Sequence, residues 1–224
     1  MPGPLPFSDN GRPDSWASKL RRRRVAQFLA LIPHGAEGVR ILDVGGSEEA
    51  WAPIWHTRLE CAQITLLNLE KKTVSGKFPM TPVMGDVRDL SQFADRQFDL
   101  CFSNSLIEHL GSFSEQQQCA AEIRRVAKGY FVQTPYRYFP LEPHFQVPFW
   151  VQLPLRLRVA MHRRFDLGWM QKQPDPQMAL AEVEQMQLLT VREMRQLFPD
   201  GDVKKEKVGG FVKSLIAVKP IPRG

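Results

Sequence analysis

Val39 to Val44 is a short, branched, apolar run that stops at the pair Gly45-Gly46, with Asp43 one residue from its end. Such a run suits a strand buried on both faces, which only a sheet covered by helices on either side provides. Glycine directly after it lets the backbone turn tightly and approach a ligand closely. The same style recurs at Ile64 to Leu69, at Pro82 to Met84 ahead of Gly85 and Asp86, at Phe98 to Ser103, and at Tyr130 to Gln133. These are the expected strands two to five.

Helical patterns separate them. From Ser15 to Ile32 the apolar residues Val25, Phe28, Leu29 and Ile32 keep helical spacing, and Pro33 and Gly35 close the segment. Ser112 and Glu115 have capping-box spacing, and Cys119, Ala120, Ile123, Val126 and Ala127 share one face up to Lys128, where Gly129 is expected to stop the helix. Strands alternating with helices predict a parallel sheet built from right-handed crossovers. A further helix over Thr190 to Leu197 precedes Asp202 to Val208 and Phe211 to Val218, joined by Gly209-Gly210. That two-residue turn predicts a hairpin, so the last strand should run antiparallel to the others. The expected architecture is one α/β domain: a Pro- and Gly-rich flexible arm over 1–14, an N-terminal helix and cofactor-binding core over 15–134, a cap insertion after strand five over 135–176, and a C-terminal helix and hairpin over 177–224.

Hydrophobic residues make up 43% and charged residues 24% of the 224 residues, which separates the chain from disordered and fibrous classes. Cys61, Cys101 and Cys119 share no C-x-x-C spacing, as expected of reduced thiols. No apolar run approaches the roughly 18 residues of a membrane span, so a cytoplasmic location is expected. Arg21 to Arg24 ahead of an apolar stretch superficially resembles a signal peptide, but the stretch is short and Gln27 interrupts it, which favours an amphipathic helix. The net charge of +6 favours acidic partners: a phosphorylated substrate, nucleic acid or an anionic membrane surface.

Open α/β sheets bind ligands at the carboxyl ends of their strands. There the chain offers Asp43, Gly45 and Gly46 after strand one, and Asn68 and Glu70 after strand two, suited to ribose hydroxyls. Asp86 after strand three can accept from an adenine amino group, with Val87 against the ring, and Asn104 stands at the end of strand four. Ser47 and Glu49 occupy places where a dinucleotide turn would have more glycine, and Glu49 would repel a pyrophosphate. The ligand expected is therefore one without phosphates.

In order, ILDVGG, ITLLNLE, GDVRDL and FDLCFSNSLIEHL resemble the class I S-adenosylmethionine-dependent methyltransferases, especially the methyltransferase type 11 group, over about residues 37 to 134. The resemblance implies a Rossmann-like sheet of seven mostly parallel strands with an antiparallel last one, S-adenosylmethionine as cofactor, and an IEHL turn facing cofactor and substrate. His109 in that turn is a candidate to take the proton of a hydroxyl being methylated, and His144 is a second. Glu108, His109, Glu142 and His144 are potential metal ligands, but such residues are too common for proximity in sequence to assign a metal, and none is assigned. The D/N-P-P-Y motif of amino-directed nucleic-acid methyltransferases is missing.

After strand five, Tyr136, Tyr138, Phe139, Glu142, Phe145, Trp150 and Arg156 combine aromatic walls with polar anchors, as a substrate pocket requires. The expected reaction is O-methylation of a small molecule, glycan or lipid-linked precursor. The basic, leucine-rich stretch around Arg156 to Arg164 adds the prospect of peripheral contact with the inner face of a membrane. An RNA methyltransferase and a catalytically inactive cofactor-binding protein are the alternatives, and the sequence does not set the oligomeric state.

Overall fold

A computed structural model describes residues 16–33, 38–51, 59 and 62–222. The expected arm over 1–14 and Cys61 lie outside the described residues. Seven strands form one sheet in the order β3-β2-β1-β4-β5-β7-β6. They are β1 (Arg40–Val44), β2 (Gln63–Asn68), β3 (Met80–Met84), β4 (Phe98–Asn104), β5 (Ala127–Pro135), β6 (Asp202–Val208) and β7 (Phe211–Lys219). The first five pair in parallel, while β7 is antiparallel to both β5 and β6. Gly209 and Gly210 take φ of +55° and +85°, the positive values that a two-residue hairpin turn demands.

Helices cover both faces. On one, α1 (Trp16–Leu29) packs Phe28, with Ile32 just beyond it, against Ile41, Leu100, Phe131 and Ile216, and α2 (Glu48–Trp51) adds Trp51. On the other, α3 (Phe113–Val126) and α6 (Val191–Leu197) cover Leu42, Val44, Cys101, Tyr130 and Val132. Ser112 caps α3 by accepting from the Glu115 amide, and Thr190 with Glu193 forms a full capping box on α6. The expected stop at Gly129 is displaced: α3 ends at Val126 and β5 begins at once. Gly129 lies inside the strand, where an added Cβ would come within 2.6 Å of the Lys219 carbonyl oxygen, so close strand approach is what the glycine permits there.

The segment after β5 contains α4 (Leu155–His162) and α5 (Pro176–Gln185), which pack on each other. The second helix was not expected, although Asp175 caps it through the Met178 amide and Pro176 opens it. Phe145, Trp150 and Val183 form a small separate core with Leu153, Leu155 and Val159 against it. Among the described residues no helix is long and apolar enough to cross a membrane.

One charged side chain ties α1 to the sheet. Arg24 is 8% exposed and spends all five of its N–H groups on four neighbours. Its Nε and Nη2 bind Glu206 in β6 at 3.0 and 2.5 Å, Nη2 also reaches Ser214 in β7, and Nη1 donates to Gln133 in β5 and Asn104 in β4. Removing one partner of a buried pair leaves an uncompensated charge, at a cost of about 3–5 kcal/mol. Glu206→Gln should therefore destabilise the fold strongly, and Arg24→Met combined with Glu206→Met should recover much of the loss, read from urea midpoints.

Candidate active site at the carboxyl edge of the sheet

The carboxyl ends of β1 and β4 border a cavity of about 260 Å³, lined by Arg21, Asp43, Gly45, Gly46, Trp51, Phe102 and Asn104 among others. Asp43 sits beneath the turn after β1, 1% exposed, and accepts from the Trp51 indole N–H at 2.6 Å. The turn can pass over that carboxylate only because it is glycine: a Cβ at Gly46 would lie 1.6 Å from Asp43 Oδ2. Gly45 has φ +79°, a conformation that favours glycine, and its amide donates to the Leu67 carbonyl. Burial pushes the Asp43 carboxyl up to about 7, against the opposing pull of the Trp51 hydrogen bond.

The other expected cofactor residues fall outside this cavity, each for a visible reason. Asn68, at the end of β2, donates its amide to the Gly46 carbonyl at 3.1 Å and so braces the turn. Glu70 is exposed beyond the strand. Asp86 is gripped by the Arg88 guanidinium on both carboxylate oxygens, and the Arg88 hydrogen bonds hold its carboxyl below the ordinary value despite some burial. Val87 is 7% exposed and packs in the main core. Between these strand ends Leu69 and Met84 are 71% and 65% exposed, large apolar side chains at adjacent strands.

Beyond β4 the chain kinks at Ser105, a non-glycine residue at φ +59°, into a 3-10 turn over Ile107–His109. Buried Gln116 clamps that turn, donating to the Ile107 and Gln187 carbonyls, while the Gln187 amide donates to the Glu108 carbonyl. Glu108 is fully buried; its Oε2 accepts from Thr134 at 3.0 Å and its Oε1 has no partner. Burial raises its carboxyl to about 7, opposed by backbone hydrogen bonding and the His144 charge. His109 and His144 meet edge-on with ring centroids 5.0 Å apart. Burial and then the His144 charge push His109 down to about 4, so its imidazole is neutral near pH 7 and a weak base. Burial alone would lower His144, yet the hydrogen bond and charge of Glu142, with the charge of Glu108, leave it raised.

The cap residues divide. Tyr136 packs against the main core, edge-on to the exposed Tyr138, and Phe139 is half-buried. Glu142 is 3% exposed and fully engaged: it takes the His144 ring N–H at 2.7 Å and the amides of His144 and Phe145. Phe145 is buried and stacked on Trp150 at 4.3 Å, which makes it part of the cap's own core and corrects its expected place on a substrate surface. Trp150 is also buried, but it and Glu142 border a second cavity with Arg137 and Arg158. Arg156 is exposed. Sequence reasoning missed Arg21, Arg24 and Trp51, although Arg21, Arg24, Val25 and Phe28 share the spacing of one helical face.

Residues 42–132 match a family described as a methyltransferase domain. The match spans less than half of the chain, and over that stretch the chain is similar to methyltransferase domains. Its fold is similar to that of a SAM-dependent methyltransferase from Archaeoglobus fulgidus (TM-score 0.53, 12% identity, 90% of this chain and 94% of that one). It is also similar to one from Methanosarcina mazei (TM-score 0.51, 15% identity, 88% and 98%) and to the CurJ carbon methyltransferase (TM-score 0.56, 12% identity, 97% and 60%). Two uncharacterized proteins from strains of Mycobacterium tuberculosis are 31% identical over 70 residues, a stretch that covers 31% of this chain and 24% of their own length.

The buried Asp43 carboxyl sets a pH dependence. Its folded value, about 7, lies above the ordinary 3.8, so the folded state keeps a proton that the unfolded chain has released. Unfolding then releases a proton between about pH 4 and pH 7, and the stability contributed by that proton is lost as pH rises through this window. Asp43→Asn cannot lose a proton, so its stability relative to the wild type should increase over the same window; a pH-independent difference in urea midpoints would contradict this reading.

Proposed function

We propose that the chain transfers a methyl group from S-adenosylmethionine to an oxygen of a small-molecule, glycan or lipid-linked acceptor that approaches under the cap. The observation that carries this reading is the juxtaposition of two features of the β4 end: Asn104 lines the cavity over Asp43, and the turn that follows it carries Glu108 and His109 to His144. When bound, the cofactor supplies an electrophilic methyl group on a sulfonium. Asp43 suits its amino group, and Arg21 at the cavity wall suits its carboxylate. The close pass of Gly45 and Gly46 over Asp43 gives the backbone access that a Cβ would block. Leu69 and Met84, exposed at neighbouring strand ends, offer a flat apolar bed for a purine, with Asn68, Glu70, Asp86 and Val87 around it.

Oxygen is favoured as the methyl acceptor because a hydroxyl must lose a proton on methylation, and the group of Glu108, His109 and His144 offers a base for it, His144 the stronger of the two imidazoles. With Nδ1 of His144 held by Glu142, its Nε2 is the nitrogen turned to other partners. The cap's exterior supports an amphipathic acceptor: Phe149, Phe165 and Trp169 are about half exposed or more, and Arg156, Arg163 and Arg164 are exposed in the same segment. Such a face also fits contact with an anionic membrane surface.

Calorimetry tests the cofactor half. The wild-type chain should bind S-adenosylmethionine, more weakly in Arg21→Ala and Asp43→Ala, and more tightly as pH rises toward 7 and Asp43 ionises. A folded wild-type chain that shows no binding would remove the proposal. For the cap, Arg156→Gln with Arg163→Gln should weaken sedimentation with vesicles containing phosphatidylserine, most clearly at low salt, and leave cofactor affinity unchanged.

A further inference from the structure

We infer that the cavity bordered by α4, α5 and the segment leading to α6 is a binding site for a small apolar monocarboxylate. The cavity measures about 360 Å³, and none of its lining residues also lines the cavity over Asp43. That size is at the lower end of the range for small-molecule pockets. Trp150, Val151, Leu155, Val183, Met186 and Leu188 give it an apolar wall. Trp150 is buried and stacked on Phe145 at 4.3 Å, so this part of the wall is already formed.

The observation that carries the inference is Arg158. It lines the cavity, is half-buried, and makes no side-chain hydrogen bond or ion pair among the described residues; its Nε is fully buried. Burial lowers its guanidinium from the ordinary value and the Glu184 charge opposes this, but an arginine side chain does not give up its proton in a protein. A buried N–H without an acceptor is costly, and folded chains provide an acceptor for nearly every one. The other charged groups of the cavity are committed elsewhere. Arg137 donates from Nε to the Leu188 carbonyl at 2.7 Å and pairs with Glu193 at 3.1 Å. Glu142 takes the His144 ring N–H and the amides of His144 and Phe145. Glu184 is exposed and acts on Arg158 through its charge, without an ion pair joining them.

These features narrow the ligand. A carboxylate accepts from Nε and one Nη together, the paired geometry that a guanidinium favours. The uncompensated charges of the lining are one positive, Arg158, and one negative, Glu184, so a phosphate dianion would be repelled by the second as it gained from the first. A neutral ligand would leave Arg158 as it stands, and the apolar wall calls for a hydrocarbon or aromatic body beside the acid. The cavity backs onto the group of Glu108, His109 and His144: Glu142 lines it and holds His144, while Gln187 lines it and donates its amide to the Glu108 carbonyl. The site does not depend on the methyl-transfer reading.

The test is calorimetry on the full chain, with phenylacetate and hexanoate as probes and phenylacetamide and phenyl phosphate as controls. One equivalent of either carboxylate should bind, and both controls should bind at least about tenfold more weakly. Arg158→Met keeps the apolar stem and should weaken phenylacetate about tenfold or more, while the melting temperature of the ligand-free variant stays level or rises because an unpartnered donor is gone. Glu184→Gln, at an exposed position, should tighten phenylacetate about 2- to 5-fold and narrow the gap to phenyl phosphate. S-adenosylmethionine affinity should be unchanged in both variants. Carboxylates that fail to bind the folded wild type, that bind no better than phenylacetamide, or that bind Arg158→Met as well as the wild type would overturn the site. So would a large drop in the melting temperature of ligand-free Arg158→Met together with unaltered phenylacetate affinity in Glu184→Gln, which would give the guanidinium a structural role. A wild type that binds phenylacetate but not S-adenosylmethionine would leave this site standing and remove the methyl-transfer reading.

Discussion

A guanidinium buried at the edge of a sheet must satisfy five donors, and in this chain the arrangement that does so defines where the helix preceding the sheet can lie. Arg24 reaches four strands, β4, β5, β6 and β7, through Asn104, Gln133, Ser214 and Glu206. Those residues come together only when the C-terminal hairpin is in register with β5, pairing Pro135 with Ser214 and Ser214 with Glu206. The C-terminal strands, the middle of the sheet and the first helix are therefore interdependent. The cavity at the carboxyl edge inherits this dependence, because Arg21, Arg24 and Asn104 form part of its wall.

Much of the fold was legible because its determinants are local. Branched apolar runs ended by glycine marked β1 to β5, a Gly-Gly pair marked the hairpin, and Thr190 with Glu193 marked α6. Gly129 misled because a glycine after a helical pattern ordinarily signals a cap, whereas here it admits the end of β7 alongside β5, a contact made with residues about ninety positions away. The helix Pro176–Gln185 carried readable signals in Asp175 and Pro176, but they stand at the boundary between the expected cap insertion and the C-terminal segment.

The site was legible in its members more than in its pairings. Asp43, Gly45, Gly46 and Asn104 share a cavity as their strand-end positions suggested, but nothing in the order of residues told that Asp86 would be claimed by Arg88 or Asn68 by the Gly46 carbonyl. Arg24 was hidden within four consecutive arginines, where a solvated basic face is the natural reading and only the helical phase separates the buried one. The meeting of His109 with His144 depends on how the cap folds back after β5, which no local pattern encodes.

Trp51 adds a consequence of its own. Its indole N–H is bound to a carboxylate that changes charge near neutrality, inside the cavity that borders the glycine turn. An indole's emission colour responds to the electric field across its ring, so proton loss at Asp43, or the arrival of a cationic group beside it, registers on this ring. The chain thus carries a built-in optical gauge of what occupies its ligand cavity.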